Sequence, residues 1–192
     1  MRNRLIGLCG AANAGKGEVF LALQSHGFVE IYFAEKLYQM VSVLTGMPVG
    51  WLRDRKNKDA LLPDFGVTVR RMLQTLGTEW GRNTIGSGIW VSAAMLRVDA
   101  ELEVAPVALT DVRFDDEAEA ILARGGEVWE IVRPGAATCE SHVSERGVSP
   151  HLIGRRLVND GSLADLRALT NATLIDIARE RSRDRREQDC AR

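Results

Sequence analysis

Gly10-Ala11-Ala12-Asn13-Ala14-Gly15-Lys16-Gly17 carries the spacing G-x-x-x-x-G-K between two segments of different periodicity. Before it lies Leu5-Ile6-Gly7-Leu8-Cys9, a short run apolar on both faces, which predicts a strand buried within a parallel sheet. After it, Glu18–Ser25 has helical spacing through Val19, Phe20 and Leu23, and Gly27 supplies the stop. A tight turn bearing a surface lysine is the plainer reading of such an octapeptide, but a strand before and a helix after argue against it. Glycines let the backbone curl so that several N–H groups face one anion. The helix adds its positive end, and Lys16 is placed to reach outer phosphate oxygens. Gly17 departs from the usual pattern, in which a Ser or Thr hydroxyl after the lysine meets a magnesium ion. Water or a carboxylate must then substitute, which magnesium tolerates because it keeps several waters.

Outward from this loop, the chain alternates. A strand is predicted over Phe28–Phe33, a helix over Ala34–Thr45, helices over Thr68–Trp80 and Trp90–Leu102, and a central strand over Val104–Val112. Then follow a helix over Asp115–Ala123 closed by Gly125-Gly126, strands over Glu127–Val132 and Arg156–Asn159, and a last helix from Ser162 to about Arg181. The order predicts an α/β fold, a doubly wound parallel sheet of about five strands flanked by helices, in a single domain spanning 1–192. Gly46–Val67, with Pro48, Pro63 and the charged run Arg53–Asp59, is expected to be a mobile excursion over the surface. A closing lid is expected over 133–150, flanked by Arg133 and Arg146.

Composition narrows the function classes. Of 192 residues, 45% are hydrophobic and 27% charged, as in ordinary globular domains, and the chain is long enough to bury a core without staples. Lys plus Arg is 25 against 26 Asp plus Glu, so the chain lacks the bulk basicity of a non-specific nucleic-acid binder. The arginine-rich end, Arg179–Arg192, is interspersed with Glu180, Asp184, Glu187 and Asp189 and reads as a solvated helix end. Cys9, Cys139 and Cys190 are scattered and make neither a disulfide framework nor a zinc site, which points to a reducing cytoplasm. No apolar run is long enough for a signal peptide or a membrane span.

Two further constellations bear chemistry. In Thr110-Asp111-Val112-Arg113-Phe114-Asp115-Asp116-Glu117, Asp111 falls at the carboxyl end of the central strand, where open α/β sheets place their ligands. An acid there can hold a metal-bound water, and Arg113 offers a planar fork for phosphate. The plainer reading is a helix start with an acidic first turn. In Arg70-Arg71-Met72-Leu73-Gln74-Thr75-Leu76-Gly77-Thr78-Glu79-Trp80-Gly81-Arg82, residues Arg70, Gln74 and, more loosely, Thr78 share one helix face. Alone, that is an amphipathic helix with solvated arginines.

In this order, the blocks resemble the deoxynucleoside monophosphate kinases of bacteriophages, within the P-loop kinase superfamily. The similarity lies at Gly10–Lys16, Phe33-Ala34-Glu35, Arg70 with Leu73-Gln74, Gly77-Thr78-Glu79, Arg82 and Trp90. It continues at Asp111-Val112-Arg113-Phe114 with Glu117, His142-Val143-Ser144-Glu145 and Asn159-Asp160-Gly161. The resemblance implies ATP-dependent phosphorylation of a deoxynucleoside 5′-monophosphate, with Mg²⁺ accompanying ATP. Gly10, Asn13, Ala14, Gly15, Lys16, Gly17 and Glu18 would then hold ATP. Glu35, Arg70, Gln74, Thr78, Trp90, Asp111, Arg113 and Glu117 would line the monophosphate site. Lys16, Arg113 and Asp111 would be catalytic, with Asp111 touching the metal through water. A cytoplasmic location and no nucleic-acid or membrane partner are expected, and a homodimer is left open. The rival readings are another small-molecule P-loop kinase, such as a dephospho-coenzyme A kinase, and a nucleotide sensor without turnover.

Overall fold

A computed structural model describes residues 4–135 and 147–190, with the side chains of 181 and 184–190 left out of account. Part of the expected lid, 136–146 with His142, Glu145 and Arg146, lies outside the described residues, as does Cys139.

Strand β1 (Leu5–Cys9) is buried along its whole length, and its side chains alternate between two cores. Leu5 and Cys9 join one cluster with Val98, Val107 and Ile121, while Ile6 and Leu8 join another with Val19, Trp129 and Leu174. A strand covered on both faces needs partners on both edges. Here β1 pairs in parallel with β5 (Val107–Leu109) on one side and β6 (Glu127–Val132) on the other. Beyond β5 lies β2 (Val29–Ile31), beyond β6 lies β7 (Arg155–Val158), and the order β2-β5-β1-β6-β7 makes an all-parallel five-stranded sheet. The chain leaves β1 for β2 on one side and leaves the neighbouring β5 for β6 on the other, so the crevice at the carboxyl ends of β1 and β5 is the topological switch point. Helices α1 (Lys16–Gln24) and α7 (Leu163–Cys190) pack together over one face. Helices α5 (Ile89–Leu102) and α6 (Asp115–Leu122) pack over the other, and α2 (Glu35–Thr45) lies against α5. Gly7 permits the close approach of α6, because a Cβ there would stand 2.5 Å from Ile121.

Three expectations need correction. The central strand is shorter than Val104–Val112, ending at Leu109, although the Thr110 and Val112 amides still donate to Ile31 O and Leu8 O. Gly46–Val67, read as a surface excursion without assigned elements, holds regular structure. It contains α3 (Val49–Arg53), a 3₁₀ turn (Arg55–Asn57) and, with Thr68, an antiparallel pair β3 (Leu61–Leu62) and β4 (Val67–Thr68). Its elements are too short to show a period, yet fully buried Leu52 and Leu62 form a third core with Val41 and Val69. The helix expected over Thr68–Trp80 is α4 (Val69–Gln74) followed by a π-helix, Thr75–Ile85. The wide turn is fitted to Trp90: its indole N–H donates to Gly77 O at 2.8 Å, and a Cβ on Gly81 would lie 2.7 Å from its ring.

Candidate active site

The β1–α1 loop has the backbone of an anion nest. Gly10 has φ +125° and Gly15 φ +113°, and Asn13 also stands in the left-handed region at +63°. A Cβ on Gly10 would meet Ile131 O at 2.3 Å, and one on Gly15 would meet Leu166 and Asn159 at under 3 Å. Glycine is required at both positions, by conformation and by space. Asn159, itself buried, donates through Nδ2 to Ala14 O at 2.8 Å and so braces the loop from behind. The first turn of α1 presents N–H groups that have no intrahelical acceptor. Lys16 Nζ lies across the loop, donating to Gly10 O at 2.7 Å and Ala11 O at 2.9 Å. Burial, and next the Arg113 charge, lower its pKa. At Gly17 a Cβ would meet nothing within 4 Å, so the missing hydroxyl reflects no steric exclusion. Glu18 does not fit the expected ATP contact, since its carboxylate pairs with Arg167 of α7 at 2.7 Å and its amide donates to Gly15 O.

At the same carboxyl edge of the sheet as the loop, beyond the ends of β2 and β5, opens a cavity of about 240 Å³. Arg70, Gln74, Thr78, Trp90, Asp111, Arg113 and Glu117 all line it, so the structure gathers seven of the eight acceptor-side candidates. The eighth, Glu35, is elsewhere. Its carboxylate pairs with Arg97 of α5 and accepts from Gln39 at 3.2 Å, a tie between helices. Sequence reasoning did not single out Tyr38 or Lys58, which also line the cavity, and it gave Arg82 and Phe114 no role beyond the resemblance. Tyr38 and Lys58 show no spacing that would reveal them. Their hydrogen bond joins α2 to the excursion, a contact between segments 20 residues apart.

Two carboxylates of the cavity wall also hold the frame. Asp111 accepts from the Phe33 amide at 2.8 Å and the Ala34 amide at 3.1 Å, pinning the end of β2 to the end of β5. Burial raises its pKa against the pull of those amides and of Arg113. Glu117 is buried, and its Oε2 accepts from the Arg113 and Phe114 amides at 2.7 and 3.2 Å while Oε1 takes Arg82 Nη2 at 3.0 Å. Burial raises its pKa to about 7. Arg82 also pairs with Asp116 at 2.8 Å and lies 3.9 Å from the centre of the Phe114 ring. Arg70 makes a two-pronged bridge to Asp59 at 2.8 and 3.2 Å. Lys58 is pushed down to about 8, first by burial and then by Arg113, Arg70 and Arg53. Cations crowded together with too few acids mark a place where an anion would relieve repulsion.

The geometry resembles that of known proteins. A sequence profile of the family described as deoxynucleotide monophosphate kinase matches residues 37–169. A protein of Acanthamoeba polyphaga mimivirus named "Putative deoxynucleotide monophosphate kinase" is 30% identical over 162 residues, covering 73% of this chain and 80% of its own. The deoxynucleotide monophosphate kinase of Enterobacteria phage T4 is 31% identical over 113 residues, 56% of this chain and 45% of its own. The chain thus matches less than half the length of that phage relative. A dephospho-CoA kinase from Campylobacter jejuni has the same fold, with a TM-score of 0.50 at 15% identity, covering 94% of this chain and all of its own. With a profile match over more than half its residues, this chain belongs to the deoxynucleotide monophosphate kinase family.

Proposed function

We propose that this protein transfers the terminal phosphoryl group of ATP to the phosphate of a deoxynucleoside 5′-monophosphate. One observation carries the reading: Arg113, Lys58, Arg70, Gln74 and Thr78 line one cavity at the carboxyl edge of the sheet, the edge from which the glycine loop also springs. The donor's phosphates lie along the Gly10–Gly17 backbone, and the acceptor's lie among Arg113, Lys58 and Arg70. Gln74 and Thr78 offer an amide and a hydroxyl from the cavity wall for a base or sugar edge. Family membership supports the kinase reading, and the printed names of the relatives support a deoxynucleoside monophosphate as acceptor.

Phosphoryl transfer asks a protein for positioning and charge stabilisation more than for covalent chemistry. Lys16 and Arg113 stabilise the oxygens of the transferring group. Asp111 keeps the β2 and β5 ends together, and Glu117 holds the backbone from which Arg113 projects. No base is needed, because a nucleotide phosphate is largely ionised near neutrality. Among the described residues no three acids, histidines or cysteines cluster as a metal cage. That donor set fits a magnesium ion held mainly by nucleotide oxygens and water, with Asp111 acting through water. When bound, the ion neutralises charge on the phosphates. No helix among the described residues is long and apolar enough to cross a membrane, and the buried free thiol of Cys9 fits a cytoplasmic setting.

The test is a turnover screen of deoxynucleoside and ribonucleoside monophosphates with ATP and Mg²⁺, following ADP release. Diphosphate formed from at least one deoxynucleoside monophosphate is the expected result. Tight binding without product, or turnover of dephospho-coenzyme A alone, would reject the proposal.

A further inference from the structure

Arg53–Asp59 reads in sequence as a solvated charge run, yet three of its cations reach back onto the body of the protein, and each ends on a neutral partner. Arg53 donates to the Tyr32 hydroxyl at 2.6 Å and lies 3.8 Å from the centre of that ring. Lys58 donates to the Tyr38 hydroxyl. Arg55 Nη1 donates to Asn13 Oδ1 at 2.5 Å, across 42 residues of sequence, and so touches the glycine loop itself. A neutral acceptor fixes where a cation stands without cancelling its charge. Arg70 and Arg82 are different, since carboxylates compensate both. Among the described residues, Arg53, Arg55 and Lys58 form no ion pair within 4 Å.

The placement of Arg55 is built, for three reasons. Asn13 is exposed and stands in a left-handed conformation (φ +63°) inside the loop, three residues before Lys16. Arg55 opens a 3₁₀ turn whose start is capped by Asp54, which accepts from the Lys56 amide at 2.9 Å. That turn follows directly on the small core built around Leu52 and Leu62, so the excursion is a packed unit. The same unit carries Lys58 into the acceptor cavity. One element therefore reaches both the glycine loop, through residue 55, and the cavity, through residue 58.

We propose that Arg55 is a further catalytic residue, whose guanidinium leaves Asn13 Oδ1 to contact the terminal phosphate of the triphosphate donor. The proposal rests on the kinase reading above. In the step it serves, an acceptor phosphate oxygen forms a bond to the γ-phosphorus as the bond from that phosphorus to the β–γ bridging oxygen breaks. ADP leaves with that electron pair, a dianionic acceptor gives up no proton, and Arg55 stabilises charge on the moving group without bonding to it.

Arg55→Ala, Arg55→Lys and the neighbouring control Lys56→Ala separate this role from general loss of positive charge. ATP and ADP are each titrated calorimetrically into the full chain with Mg²⁺ and no acceptor, and turnover is measured in parallel. Arg55→Ala is expected to weaken ATP about tenfold and ADP less than twofold, and to lower kcat on the order of 100-fold with the acceptor KM nearly unchanged. Arg55→Lys falls between, and Lys56→Ala stays within about twofold of the parent, as a surface substitution should. An unchanged ratio of ATP to ADP affinity in both Arg55 variants overturns the proposal. A parent protein that phosphorylates no deoxynucleoside monophosphate sinks the functional reading instead, and the affinity ratio still decides whether Arg55 meets a third phosphate.

Discussion

The glycine loop and the cavity beside it solve related problems by different means. The loop offers backbone. Eight consecutive residues set its curvature through left-handed angles at Gly10, Asn13 and Gly15, and distant residues serve it mainly as walls and a brace. The cavity offers side chains drawn from α2, the excursion, α4 with its π-helix, and the β5–α6 connection. Each needs a fixing partner: Asp59 for Arg70, Glu117 and Asp116 for Arg82, Tyr38 for Lys58. A backbone site is intolerant of an added Cβ but needs few specific side chains. A side-chain site depends on a second layer of residues that never touch the ligand.

The comparison can be broken first at Lys16, whose ammonium lies across the loop. Lys16→Ala should retain its melting temperature and lose on the order of 10³-fold in kcat/KM, since a charge aimed at the transferring phosphate is removed. Next comes the junction. Arg113→Ala should cost about 100-fold in turnover, whereas Arg71→Ala should stay within about twofold, because Arg71 only bridges Glu79 at the surface. Equal losses would mean that Arg113 does not stand between the two substrates.

Glu117 sharpens the contrast through pH. Its folded pKa of about 7 lies above the ordinary 4.5, so the folded state holds this proton more tightly than the unfolded state. Its contribution to stability is therefore present below about 4.5 and is lost as pH rises through about 7. Glu117→Gln should flatten that slope in denaturation curves taken at several pH values, while retaining an oxygen for the Arg113 and Phe114 amides. A slope that survives the substitution assigns it to another group. The smallest effect is expected at Gly17→Ser, where the added atom enters open space. Turnover should stay within about threefold, with half-maximal activity reached at lower Mg²⁺. An unaltered magnesium requirement would show that position 17 lies beyond the ion's reach.

Much of this was legible beforehand. The β1 run, the glycine loop and α1 are local, and each carries its own pattern of apolar spacing and turn residues. The parallel sheet followed from the alternation of strands and helices. The elements of the excursion were not legible because its helix has five residues and its strands two each, too few to display a period, while its core closes only against α2 and α4. The π-helix was misjudged because no spacing distinguishes it from an α-helix before Trp90 is placed against Gly77 and Gly81.

The roles of acids divide along the same line. The residue types at 111 and 117 made them candidates for ligand contact, but only the fold showed their oxygens accepting backbone amides. Glu18 and Glu35 found arginines on α7 and α5 for the same reason: a carboxylate's partner is whatever cation packing brings near. By itself, then, the chain's order of residues determined where a phosphate can be gripped, because that grip is made of neighbouring backbone amides. Which charges stand free to act and which are consumed in holding the frame was decided by tertiary structure, since pairing depends on distances in space between segments far apart in sequence.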